Sequence, residues 1–205
     1  MRLGGGGGSD AAVSALAGLF STWSGFQSGL WTGTQAARYT EYGAMRMEAA
    51  GLQAEANQIS VIEVTLFTTW VNATVAGDYA VAEFYERRFP ANLKTAFDAW
   101  RETRPLDDPK APRSPFVMPQ YQRHDREAQV ADAKATAVLR AGQAANQISD
   151  RFSQGNVMLA MAMFFAGIAQ VFRIDHLRFA LLGVAVITCV VGVVRVASLP
   201  MLHPG

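Results

Sequence analysis

A single cysteine, Cys189, in 205 residues excludes an intrachain disulfide and any thiolate metal centre. It lies in an apolar run, where a lone thiol serves as a small packing residue. Histidine is nearly as scarce. His124, His176 and His203 form no His-Glu-x-x-His pattern, and no nucleophile elbow, dinucleotide loop or kinase signature occurs. No catalytic residue, metal or cofactor is therefore expected. Charge is sparse, at 17% with a net of +1, and both signs are interspersed through residues 34–155. That pattern supplies neither the basic stripe that nucleic acid requires nor a polybasic lipid patch. Proline is confined as well: five of the eight, Pro105, Pro109, Pro112, Pro115 and Pro119, fall in one stretch.

What is abundant is apolar sequence. Between Asn156 and Pro200 the only charges are Arg173, Asp175, Arg178 and Arg195. Val157 to Phe172 and Phe179 to Val194 are free of charge and, with their flanks, reach about 18–20 residues each, the span of a hydrocarbon core. The turn Arg173–Arg178 is short enough to force a hairpin of two transmembrane helices, 156–173 and 178–199, followed by a tail at 201–205. Gln170 and Arg195 are the polar groups of this hairpin, both near helix ends, with Arg195 placed to snorkel. Ala11 to Gly33 also lacks charge, though Ser, Thr, Gly and Gln27 lower its hydrophobicity, and it is read as a third span. Residues 1–10 form a flexible Gly-rich leader in which Ser9 or Asp10 caps the first helix. No Lys-Ser/Thr follows the glycines, so they do not make a phosphate loop.

Alternating steps of three and four mark one stripe through the first helix. It begins Ser14, Ala17, Ser21, Ser24 and Ser28 and passes Trp31, Gln35 and Arg38. It continues as Tyr42, Met45, Ala49, Leu52, Ala56, Ile59, Glu63, Leu66, Trp70 and Ala73. Small hydroxylic residues let helices approach and hydrogen-bond in lipid, and apolar ones form a coiled-coil seam in water. One helix leaving the bilayer as a stalk accounts for both halves. Glu63 occupies a core position; the plainer expectation is that the seam ends near Ile59 and Glu63 is solvated. A water-filled path along the serine face is the second reading of the first span.

Beyond Gly77, helices are predicted for Asp78–Phe89 and from Pro90 to about Glu102, with an aromatic face of Phe84, Tyr85, Phe89, Phe97 and Trp100. The Pro-rich connector, 104–120, is expected to be extended and not helical. Tyr121 to Arg151 is predicted helical, with a small-residue stripe of Ala128, Ala131, Ala135, Val138, Gly142 and Ala145 suited to packing on the first helix. Ala56–Ser60 recurs as Ala145–Ser149, a repeat that is suggestive only. Glu83 with Glu86 and His124 with Glu127 resemble half of a di-iron bundle in the wrong order, and solvated helix faces are the expected outcome.

The pattern predicts an all-α integral membrane protein. Three transmembrane helices would carry an antiparallel, coiled-coil-like helical bundle over residues 34–155. The basic hairpin turn favours a cytoplasmic turn in the inner membrane, with the bundle outside the cytoplasm. Trp23–Gln27 through Gln35–Ala37, Phe84–Phe89, Ser114–Phe116 with Met118–Pro119, and Phe164–Ile168 resemble a class of small uncharacterised bacterial membrane proteins. That resemblance implies one N-terminal and two C-terminal spans and no catalytic residue. The expected partners are the lipid bilayer and either further copies in a homo-oligomer or other membrane subunits.

Overall fold

Every regular element among the described residues is a helix. The computed structural model describes residues 7–203 except 106 and 173, so residues 1–6 of the predicted leader and the last two of the tail lie outside it. In order these elements are α1 (Gly7–Val75), α2 (Tyr79–Glu86), α3 (Ala91–Glu102), a single 3-10 turn (Pro115–Val117), α4 (Arg126–Ala169) and α5 (Asp175–Ala197). Two of these, α4 and α5, are long and apolar enough to cross a membrane. The chain forms two compact units. One comprises residues 1–42 with 136–205, the other residues 43–135.

In the first unit, Ala17 of α1 packs with Phe152, Leu159 and Ala162 of α4 and with Cys189 and Val196 of α5. A ladder of hydroxyls joins α1 to α4. The Ser21 hydroxyl donates to the Asn156 side chain, Ser24 Oγ donates to the Phe152 carbonyl at 2.8 Å, and Ser28 Oγ meets Ser149 Oγ at 2.9 Å. As numbers rise along α1, its partners on α4 fall. Gly155 and Gly192 set how closely α4 and α5 approach: a Cβ on Gly155 would overlap Val196 Cγ2, and one on Gly192 would sit 3.1 Å from Leu159. The outer surface of α5 is apolar, with Phe179, Ile187, Val190 and Val194 exposed.

The second unit is held by aromatic packing. Phe89, Leu93, Phe97 and Trp100 from α2's exit and α3 enclose Trp70 and Ala73 of α1. Phe97 and Trp70 meet edge to face at 4.7 Å between centroids, a favourable geometry for paired rings. Asp78 caps α2 by accepting from Val81 N–H at 3.1 Å, and Gly77 takes a φ of 77° in the turn before it, where a side chain would be strained. The Pro-rich connector is anchored by the Trp100 indole N–H, which donates to the Pro112 carbonyl at 2.7 Å.

The stripe of α1 is buried or half-buried at each named position except Arg38, which is exposed. Several sequence expectations need correction. Residues 7–10 are helical, so Ser9 and Asp10 lie inside α1 and not at its boundary. The connector is not wholly extended, since Pro115 opens a 3-10 turn; proline suits that position because its missing N–H has no partner there anyway. Asp175–Arg178 belong to the first turn of α5, not to the hairpin loop, and Asp175 favours that by its charge at the positive helix end. Helix α4 starts at Arg126 instead of Tyr121, because residues 121–124 are committed to side chains of α1 and α3.

Candidate functional site

Glu63 is the most informative polar residue of the second unit. The stripe of α1 turns it inward, and its side chain has no exposed surface. The expectation that it is solvated is therefore overturned. Seam spacing brought it to the inside, and the residues after the prolines supply its donors. Tyr121 Oη donates to Glu63 Oε2 at 2.6 Å, and His124 Nε2 lies 2.9 Å from the same oxygen. A carboxylate only accepts, so the His124 tautomer with its proton on Nε2 is the one that donates to Glu63. Glu63 Oε1 is buried without a partner.

The loop that carries both donors is fixed by α3. Asn92 Oδ1 accepts from Gln122 N–H at 2.9 Å, and Asn92 Nδ2 donates to the Gln122 carbonyl, also at 2.9 Å. This two-point grip satisfies backbone groups that a helix would otherwise use. Burial of Tyr121, followed by its hydrogen bond to Glu63, raises its phenol pKa well above 10.0. Beside the cluster, Ser60, Asn57, Phe116, Tyr121, His124 and Asp125 line a cleft of about 270 Å³. Chemically the arrangement is a buried acceptor pinned by two donors, with one oxygen left for a third. Glu63 and His124 are a pair only. Among the described residues no group of three or more His, Cys, Asp or Glu is placed to hold a metal.

Solvated helix faces were the expectation for Glu83, Glu86, His124 and Glu127, and it holds for only part of the set. His124 turns to Glu63 and is not a solvated face residue. Glu83 pairs with Arg87 at 3.4 Å, and Glu127 is exposed. Glu86 accepts from Lys94 at 3.2 Å and from Arg101 at 2.8 Å. Burial lowers the Lys94 pKa, but the bonds to Asp98 and Glu86 outweigh it and the net shift is upward. Next to these pairs, Trp70 and Trp100 floor a second cleft of about 370 Å³ rimmed by Glu83, Arg101 and Arg104.

In the first unit, Ser14 and Ser28 are half-buried and Ala17 and Ser24 buried. Gln170 stands exposed in the turn after α4. Arg195, exposed in the last turn of α5, reaches Gln154 Oε1 at 3.3 Å. Gln27, a polar residue of the uncharged segment Ala11–Gly33, is buried. Its Nε2 donates to the Leu202 carbonyl at 3.0 Å and its Oε1 accepts from Leu202 N–H at 2.9 Å. Trp31 adds a bond to the Pro200 carbonyl at 3.1 Å, so the tail is clamped to α1. The sequence signal was an amide one step from the serine stripe in the uncharged segment Ala11–Gly33.

The two copies of the repeated pentapeptide behave alike locally. Each leading alanine, Ala56 and Ala145, is buried. Their serines differ: Ser60 donates back to the Ala56 carbonyl, while Ser149 joins the ladder with Ser28. No family model matches the chain, and neither the curated proteins nor the solved structures contain a match.

Proposed function

We propose that this chain is a non-enzymatic integral membrane protein that acts by helix association, as a homo-oligomer or as an accessory subunit of a membrane complex. The hairpin of α4 and α5 is its anchor. One observation carries this reading: only 22% of the most apolar stretch of α5 is buried. A core helix of a soluble protein hides its apolar surface, whereas a helix in lipid exposes it.

The third span is part of the same reading, in a shifted position. Ser21 pairs with Asn156 and Ser24 with Phe152, which supports reading the membrane part of α1 as Gly7–Trp23, shifted toward the N-terminus from Ala11–Gly33. At 1.5 Å per residue that stretch covers roughly 25 Å, close to a hydrocarbon core of about 30 Å. The remainder of the hydroxyl ladder, Ser28 and Thr32 with Ser149, lies beside the charged stretch that holds Asp150 and Arg151. The helical bundle of residues 34–155 stands outside the bilayer, coiled-coil-like and with helices in opposite senses. The basic residues Arg173 and Arg178 of the segment between the two apolar runs favour placing that bundle outside the cytoplasm of an inner membrane. A conducting path along the serine face draws no support, because Ser21, Ser24 and Ser28 already bond to α4.

Alkaline extraction of membranes from expressing cells tests the anchor: the protein should stay in the pellet, and release into the supernatant would refute it. On a Cys189→Ala background, Lys110→Cys should react with an impermeant maleimide in intact cells. Reaction only after permeabilisation would reverse the orientation.

A further inference from the structure

Opposite its buried stripe, α1 carries a second run with the same alternation of three and four. It starts at Ala44, passes Met47, Gln58, Val61, Thr68 and Asn72, and ends at Val75. Every position of this run is exposed, and none is charged. From Ala56 to Gly77 the only charged residue is Glu63, which faces inward. A solvated helix face of this length ordinarily carries charge. An uncharged stripe with a 3.5-residue period is instead the pattern by which helices wind around one another.

We propose that this outer stripe of α1 pairs in parallel and in register with the same stripe of a second copy, an inference that rests on the association reading above. The stripe is chemically self-complementary. Gln58 and Asn72 fall in the first core column of the heptad, where an asparagine specifies a parallel two-stranded register. An amide both donates and accepts, so each can satisfy its own counterpart, and the hydroxyl of Thr68 can do the same. The flanks agree. Glu48 and Glu55 lie on one side of the stripe, while Ala50, Asn57 and Val64 lie on the other. A parallel, in-register pair sets Glu55 against Ala50 and Glu48 against Gly43 of the second copy, so neither acid meets an acid.

The area is modest. A contact about 45 Å long made mostly by small side chains falls toward the lower part of the range of roughly 1,200–2,000 Å² that standard interfaces bury. With few large apolar side chains, the pairing depends on anchoring in one bilayer, which raises the effective concentration of one copy around another.

The test is disulfide trapping of the full-length protein carrying Cys189→Ala in lipid vesicles. Ala54→Cys and Thr68→Cys should each cross-link to their own position. Lys110→Cys, exposed elsewhere in the same unit, should give less than a tenth of that yield. Adding Val61→Lys should lower trapping at Thr68→Cys at least tenfold while helix content by circular dichroism stays unchanged. Trapping only when Ala54→Cys chains are mixed with Thr68→Cys chains would mark an opposite-sense pair and overturn the register. Absence of trapping at both positions, or trapping solely to a heavier foreign protein in cells, would overturn the second copy. Alkaline extraction of the same vesicles reads the anchor separately. A chain that washes off yet still traps in solution would refute the anchor and leave the pairing standing.

Discussion

Replacing Tyr121 with Phe removes one donor from a buried carboxylate and changes little else. The bond lost is an O–H donated to Glu63 Oε2 at 2.6 Å, and hydrogen bonds to charged groups contribute about 1.5–3 kcal/mol. Glu63 Oε1 is already unpartnered, so no spare donor stands nearby to take up the slack, and a cost of about 2 kcal/mol is expected near pH 8. The pH dependence gives a sharper test. Burial and then the bond to Glu63 hold the Tyr121 pKa above 10.0 in the folded chain. Above pH 10.0 the unfolded chain releases this proton while the folded chain keeps it. The Tyr121 contribution is thus fully present below pH 10.0 and declines as pH rises toward the folded pKa. Its steepest possible slope is about 1.4 kcal/mol per pH unit, reduced because the ring is only half-buried and water screens it. Phenylalanine has no such proton, so the gap between the two proteins should narrow from pH 8 to about pH 11, the other tyrosines cancelling in the comparison. Guanidinium unfolding in detergent measures it, with Trp23→Phe and Trp31→Phe so that Trp70 and Trp100 report the second unit. A gap below about 0.5 kcal/mol at pH 8 would refute the donor role; a gap that stays constant to pH 11 would refute the linkage.

Gly155→Ala should destabilise the first unit by about 1–3 kcal/mol, because its methyl meets the stiff Val196 side chain; Val196→Ala should rescue it, as read by thermal unfolding in detergent. Gly142→Ala should cost less than half as much in the same assay. Its methyl meets the Tyr39 ring at 2.7 Å, but Tyr39 is exposed and free to swing outward. Gln27→Leu leaves the Leu202 N–H and carbonyl without their partners, so carboxypeptidase should trim the tail several-fold faster than in the parent, and an unchanged rate would refute the clamp. Phe97→Ala removes a fully buried ring that touches Phe67, Trp70, Phe89 and Trp100. It should cost about 3–5 kcal/mol in guanidinium unfolding.

Helix content and the two apolar helices were legible because their signals are local. Period and charge depletion act within a few turns, and Ala17, Ala49, Ala56 and Ala73 of the predicted stripe are buried. Helix ends were less legible where a distant side chain decides them. Nothing near Tyr121 announces that Asn92 will hold Gln122 by both backbone groups and delay α4 to Arg126. The alanine-rich sequence that follows is a good helix former, so propensity alone extends the helix too early.

The cluster around Glu63 shows how a core-position carboxylate is to be weighed. Position in the stripe argued for burial, and the cost of burying a charge argued against it. The decision lay in whether donors existed, and they sit near residue 120, beyond a stretch rich in proline. That stretch is what makes them available. It cannot continue a helix, so it brings Tyr121 and His124 back to α1 at a spacing of three residues, both reaching one oxygen. A seam acid followed, after a proline-rich return, by a Tyr/His pair is therefore evidence for a buried polar cluster, whereas the same acid without such a return is better read as solvated. Glu48 and Glu55 supply the contrast within this chain. They lie on the same helix, off the inner stripe, and both are exposed.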